Sequence, residues 1–116
     1  MPPTELLRWQ WNGYPRNHQT RFNLLLHIIA VPVFLAGNAV AVAGVIRLSW
    51  PLALAGVAAT VLSIAMQGRG HKAEAHAPEP FTCAGNALAR IFLEQWVTFP
   101  RFVLSGGWLR ALRSAD

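Results

Sequence analysis

The sequence predicts an all-α membrane protein: a helical hairpin of two transmembrane helices, followed by a C-terminal amphipathic helix. Three observations predict this fold class. Hydrophobic residues make up 53% of the 116 residues and charged residues 13%, well below the roughly 25% charged residues of a soluble domain. An apolar block runs from about Phe22 to Gly68 with one charged residue, Arg47. Apolar residues then recur at helical spacing after Asn86. A buried hairpin in a soluble protein is the alternative, but so short a chain offers little else to cover it.

We expect one membrane domain, residues 1–116, in three parts. Residues 1–21 mix Trp, Tyr and Arg, as an interfacial segment before a membrane helix does. Pro15 argues against one unbroken helix there. Residues 22–67 form the transmembrane hairpin, and residues 68–116 contain a His/Glu loop and the amphipathic helix.

The hairpin is predicted from two apolar segments around a short turn at residues 47–51. Residues 22–46 exceed the roughly 20 residues that cross a bilayer. Pro51 suits the first turn of the second helix, which we expect to end at residues 68–70. Small residues allow close helix contact and predict a homo-oligomer through these faces: Gly37, Gly44, Ala55, Gly56, Ala59 and Ser63.

The C-terminal helix is predicted over residues 86–99 from an apolar stripe, and Pro100 is expected to break it. Whether residues 86–104 cross the membrane or lie on it stays open. The stripe consists of Leu88, Ile91, Phe92, Trp96 and Phe99.

The formal charge of +5 indicates a membrane surface rather than nucleic acid, because the Arg residues flank apolar segments and form no stripe with interleaved aromatics. All Lys and Arg except Arg47 lie outside the hairpin, so we expect an integral protein of the bacterial inner membrane with both termini in the cytoplasm. The single cysteine, Cys83, excludes an internal disulfide.

Four histidines flank the apolar block and predict a metal site. His18 and His27 lie at its entrance and His71 and His76 at its exit, and a hairpin returns both ends to one membrane face. His27 lies about one turn inside the apolar segment, where a polar ring is costly unless it has a partner. On a straight helix His18 would face away from His27, so it can join the metal site only if the chain bends near Pro15. Otherwise His18 is an interfacial aromatic and His27 caps a neighbouring helix.

Two further residues share helix faces with these histidines: Asn23 lies four before His27, and Glu74 lies three after His71. His76 is placed for coordination only in a loop, and a solvated polar loop is the alternative for this second group. Imidazole with a carboxylate and open positions suits Fe(II), Zn(II) or Mn(II).

The two groups resemble the motifs of a membrane family formerly known as a domain of unknown function. It is the family of the yeast endoplasmic-reticulum 2-hydroxy fatty acid dioxygenase, which takes part in converting phytosphingosine into odd-numbered fatty acids. The resemblance spans roughly residues 14–104. It consists of Tyr14, His18, Asn23, His27 and Pro32, then Gly70-His71-Lys72-x-Glu74 with Pro78, then Phe99-Pro100-x-Phe102.

The resemblance implies an iron(II)-dependent dioxygenase that removes one carbon from a 2-hydroxy fatty acid by α-oxidation. It implies His18, His27 and His71 as iron ligands, with Glu74 as a ligand or a ligand's partner, and Asn23 as the residue that orients His27 or the oxygen at the iron. The family often has a second histidine where Gln19 stands here, which makes His76 a candidate fourth ligand.

Two other function classes stay open. One is a small non-catalytic membrane protein that packs against a larger partner through its Gly and Ala surfaces. The other is a haem-binding membrane anchor with His27 and His71 as axial ligands.

Overall fold

The computed structural model describes residues 1–115, and it confirms the all-helical class with two long apolar helices that pair as a hairpin. Helices α1 to α6 are joined by a 3₁₀ turn at Pro15–Asn17 and a π turn at Glu94–Thr98. The helices are α1 Pro3–Gly13, α2 Arg21–Ile46, α3 Trp50–His71, α4 Ala84–Leu93, α5 Phe99–Leu104 and α6 Gly107–Ser114.

Helices α2 and α3 are each long and apolar enough to cross a membrane. Only 28% and 22% of their most apolar stretches are buried within the protein. A core helix of a soluble protein is mostly buried, so the large exposed apolar surface fits contact with lipid better than contact with water.

The two long helices approach closely because glycines face each other's backbone. A Cβ on Gly44 would collide with Ala53, and a Cβ on Gly56 would collide with Ala41 and the carbonyl of Gly37. The predicted small-residue contact therefore lies inside the hairpin, while the homo-oligomer stays a prediction. Leu48, at φ 52°, occupies the turn.

The second long helix continues further than expected. Residues 68–70 were expected to end it, but α3 runs through both glycines to His71. Glycine fits position 70 because any Cβ there would collide with the Asn23 side chain of α2. His71 is therefore held on a helix and not in a loop.

The C-terminal region also differs from the expectation that Pro100 breaks the helix. The backbone stays helical from Ala84 to Leu104, with a π turn at Glu94–Thr98 that ends two residues before Pro100. Proline has no N–H and its ring crowds the carbonyl four residues back, and the wider π turn accommodates both effects.

Side chains from distant segments hold the outer helices against the hairpin. Gln10 of α1 donates to the carbonyl of Arg90 at 2.7 Å and accepts from Thr98 at 2.8 Å. Trp108 of α6 donates from Nε1 to the carbonyl of Leu24 at 2.9 Å. These contacts gather α1, α4 and α6 around the open end of the hairpin, where the histidines lie.

Candidate metal centre

Three of the four histidines meet at the open end of the hairpin. The ring centroid of His18 lies 4.8 Å from that of His27 and 4.8 Å from that of His71, and the last two lie 4.9 Å apart. The ring planes stand at 80–88° to one another. The imidazoles thus form a nearly equilateral triangle of edges and faces.

The chain bends between α1 and α2, and this bend brings His18 into the triangle. The 3₁₀ turn ends α1, and His18 leaves it in a non-helical conformation before α2 starts after Thr20. The ring of Tyr14 stacks on that of His18 at 3.9 Å between centroids. The bend near Pro15 that His18 requires is therefore present.

Two of the three rings are fixed by backbone carbonyls. Nδ1 of His18 lies 2.8 Å from the carbonyl oxygen of Tyr14, and Nδ1 of His27 lies 3.0 Å from that of Asn23. A carbonyl oxygen only accepts, so each Nδ1 carries the hydrogen. The Nε2 atoms then expose lone pairs, which is the usual arrangement of a metal-binding histidine.

The ring nitrogens on the inner side of the triangle lack partners among the described residues. Nε2 of His18, Nε2 of His27 and Nδ1 of His71 are buried and accept or donate no hydrogen bond. An unpaired buried polar atom is costly, and three together indicate a missing ligand. Burial, and then the neighbouring His27 and His71, hold the pKa of His18 well below its usual value, so this ring is neutral and available for coordination at neutral pH.

Glu94 is the fourth member of the group, and the sequence analysis did not select it. Its Oε2 lies 3.6 Å from Nε2 of His18, too far for a hydrogen bond but a suitable separation for two ligands of one ion with bonds of about 2.1 Å. The four ligand atoms lie within 4.8 Å of one another. Burial raises the pKa of Glu94, and a bound cation would favour its ionised form.

Glu74 lies beside this group but binds the start of α2. Its carboxylate accepts from the N–H groups of Gln19 and Thr20, the Thr20 hydroxyl and Nδ2 of Asn23, at 2.9–3.0 Å. Burial opposes ionisation, but these donors outweigh it and lower the pKa of Glu74. The carboxylate acts as a cap for the helix that carries His27.

Asn23 connects Glu74 to the histidines. Its side chain donates to Glu74, while its carbonyl oxygen accepts from His27. Asn23 is completely buried and its Oδ1 has no partner among residues 1–115. Asn23 and Glu74 were predicted as catalytic residues, and the structure places them directly behind His27.

His76 does not join the three other histidines. Its side chain is exposed in the loop after α3, outside the group formed by His18, His27, His71 and Glu94. The sequence placed His76 near the hairpin exit, but the direction of a loop side chain is not encoded in its spacing.

One signal could have identified Glu94. It is the one charged residue in the stretch 91–99, which is otherwise apolar apart from Gln95 and Thr98, and an ionisable residue there requires a partner, as His27 does. The sequence gives no indication that the partner is His18, which lies 76 positions earlier in a separate element.

The geometry can hold a single metal ion with three nitrogen ligands and one oxygen ligand. It does not favour haem, because the rings of His27 and His71 lie too close together for a planar macrocycle to fit between them.

Comparisons of the chain with protein-family models, curated proteins and solved structures give no match.

Proposed function

We propose that this chain is a membrane-embedded, iron(II)-dependent dioxygenase that shortens a 2-hydroxy fatty acid by one carbon. The observation that carries the proposal is the convergence of three imidazoles, each with a buried ring nitrogen that has no hydrogen-bond partner among the described residues. The choice of reaction rests on the resemblance of the histidine spacing to the motifs of the lipid dioxygenase family.

The donor set supports a catalytic metal. Imidazole with carboxylate suits Fe(II), with Zn(II) and Mn(II) as alternatives, and Fe(II) with few protein ligands keeps positions open for dioxygen and substrate. Bound iron(II) would supply the activation of dioxygen. The residues that would hold the ion are His18, His27 and His71 through nitrogen and Glu94 through oxygen.

The supporting residues keep the ligands oriented. Glu74 fixes Asn23, and the carbonyl of Asn23 fixes the hydrogen of His27 on Nδ1. The carbonyl of Tyr14 does the same for His18. Such partners set both the orientation and the basicity of a ligating imidazole.

A lipid substrate is supported by the distribution of apolar surface. Along α4 and the π turn, Leu88, Phe92 and Trp96 face outward, whereas Arg90 and Gln95 are buried. Apolar residues outside and polar residues inside are typical of a protein surrounded by lipid. An acyl chain can then stay in the bilayer while its polar head reaches the metal centre.

The reaction balances with dioxygen alone. A 2-hydroxy acid, R–CH(OH)–COOH, and O₂ give R–COOH, CO₂ and H₂O. The hydroxyl-bearing carbon and the carboxyl carbon together lose four electrons, and one molecule of dioxygen accepts four. The proposed activity therefore requires no separate reductant.

The test combines metal analysis with oxygen uptake on the protein purified in detergent. We expect about one iron per chain and oxygen consumption that depends on a 2-hydroxy fatty acid. His27→Ala and His71→Ala should lose both, and His76→Ala, on the exposed loop, should retain both.

Three results would decide against the proposal or narrow it. No stoichiometric metal in the wild-type protein would remove the metal centre and favour the non-catalytic membrane protein. Stoichiometric zinc or manganese without oxygen uptake would keep the centre and remove the dioxygenase. A metal-loaded His76→Ala variant with impaired activity would assign that residue a role that its exposure does not suggest.

A further inference from the structure

A cavity of about 480 Å³ opens beside the candidate metal centre. His18, His71 and Glu94 line its inner end, and α1, the loop at residues 77–81 and α4 form its walls. A molecule bound in this cavity would contact the ligand group directly. The cavity therefore gives a bound molecule access to the candidate metal centre.

The walls combine aromatic and cationic side chains. Trp9 and Phe81 line the cavity together with Arg90, whose guanidinium lies 4.9 Å and 4.5 Å from the two ring centroids. Arg90 also donates to the carbonyls of Glu79 at 2.7 Å and Pro80 at 3.1 Å. This arginine is nearly buried and holds the loop in place, so its donors are already engaged.

Arg16 is the second arginine of the cavity and is differently placed. It lies in the 3₁₀ turn, and its side chain is exposed. No carboxylate of residues 1–115 lies within ion-pair distance of it. Its planar guanidinium can therefore bind an incoming carboxylate with two parallel hydrogen bonds.

A second polar group lines the cavity next to Glu94. The hydroxyl of Tyr14 is buried and lies beside the carboxylate of Glu94, and both residues line the cavity. Buried tyrosine hydroxyls usually have a partner. This hydroxyl can donate either to Glu94 or to an oxygen atom of a molecule bound in the cavity.

We propose that this cavity binds the acidic head of a lipid, with Arg16 as the residue that holds the carboxylate and the Tyr14 hydroxyl as a donor to the same head. The inference rests on the proposed function for its choice of a fatty acid as ligand. Trp9 and Phe81 then provide aromatic walls for the first carbons of the chain, and His18 and His71 line the inner end of the same cavity.

Charge balance makes Arg16 the sensitive position. Two arginines, Arg16 and Arg90, share the cavity with two glutamates, Glu79 and Glu94. Removing Arg16 would leave one arginine against two glutamates. An acid should then bind poorly, while a neutral molecule of the same length should be little affected.

The experiment measures binding calorimetrically on the full chain in detergent, with octanoate and 1-octanol as soluble probes of matched length. Arg16→Gln is compared with Arg16→Lys and with the control Arg21→Gln, which removes an exposed arginine outside the cavity. We expect Arg16→Gln to weaken octanoate binding by about tenfold or more and to leave octanol binding unchanged. Arg16→Lys should recover part of the loss.

Equal octanoate affinity in the wild type and Arg16→Gln would overturn the inference, as would an equal loss in Arg21→Gln. Metal content measured on the same samples separates the two proposals. If the protein contains metal but Arg16→Gln leaves octanoate binding unchanged, the proposed function stands and Arg16 has no part in it. Arg16-dependent octanoate binding without metal would retain the acid-binding cavity and remove the dioxygenase.

Discussion

The two ends of the hairpin are built from opposite kinds of residue. At the turn, the helices meet through glycine and alanine, and large apolar side chains face outward, with Ile46 76% exposed and Leu48 78% exposed. At the open end, polar side chains are enclosed, and Asn23 and His27 have no exposed surface. Both ends belong to the same pair of helices.

This difference in residue type indicates that the turn end stabilises the hairpin, whereas the open end contains the candidate metal centre. Backbone contact at the turn end requires only small residues. The open end buries imidazoles and an amide in a region where each unpaired polar atom carries a cost. A shared ligand would offset that cost, which is why the proposed metal centre lies at the open end, whereas the turn end contributes close packing.

The largest effect is expected at the turn end, with Gly56→Val. The added side chain would collide with the backbone of Ala41 and Gly37, which cannot move without separating the helices. We expect more than about 3 kcal/mol of destabilisation, measured as a lower thermal midpoint by circular dichroism in detergent.

The matched control for that substitution is Gly68→Val, on the same helix. A Cβ there meets nothing within 4 Å, so only a small change in midpoint should follow. Equal destabilisation by the two variants would mean that the helices do not approach closely at Gly56, and the comparison of the two ends would lose its first half.

A smaller effect is expected from Glu74→Gln at the open end. The amide places an NH₂ group among N–H and O–H donors that now meet a carboxylate, and we expect a loss of about 2 kcal/mol. The wild-type carboxylate has a lowered pKa in the folded protein. Its contribution to folding stability is therefore complete above roughly pH 4.3, the pKa of an unperturbed glutamate. It is lost as the pH falls through the lowered pKa of the folded state.

The pH dependence identifies this carboxylate. The thermal midpoint of the wild type should fall toward that of Glu74→Gln as the buffer is acidified below roughly pH 4.3, so that the difference between them closes. A difference that stays constant down to pH 3 would show that the stabilisation comes from packing of the side chain and not from its charge.

The sequence predicts the turn end better than the open end, and the reason is the range of the interactions. The length of each apolar segment predicts the two long helices, and Pro51 predicts where the second one begins, because both signals act within a single helix. His27 was identifiable because a polar ring in an apolar segment needs a partner. Glu94 was missed because its position depends on a π turn and on contact with His18, and neither follows from local spacing.

The loop after α3 also shows that the sequence does not predict which side chains point into the site. Glu74 was a candidate because it shares a helix face with His71, and His76 was a candidate only if the chain there formed a loop. The structure turns Glu74 toward the start of α2 and leaves His76 exposed. Only the direction of the chain after His71 separates them, and that direction is set by the donors that Glu74 finds on Gln19 and Thr20.

The smallest effect, and the one that tests the open end most directly, is expected from Glu94→Gln. The amide keeps the size of the side chain but removes the charge that would balance a divalent ion, so metal affinity should fall by about tenfold, or about 1.4 kcal/mol. Competition with a chelator of known affinity measures it. The control is Glu79→Gln, which also lines the cavity but lies outside the ligand group. If the control weakens metal binding as much as Glu94→Gln does, the carboxylates act through the general field of the cavity and the ion is held by the three histidines alone.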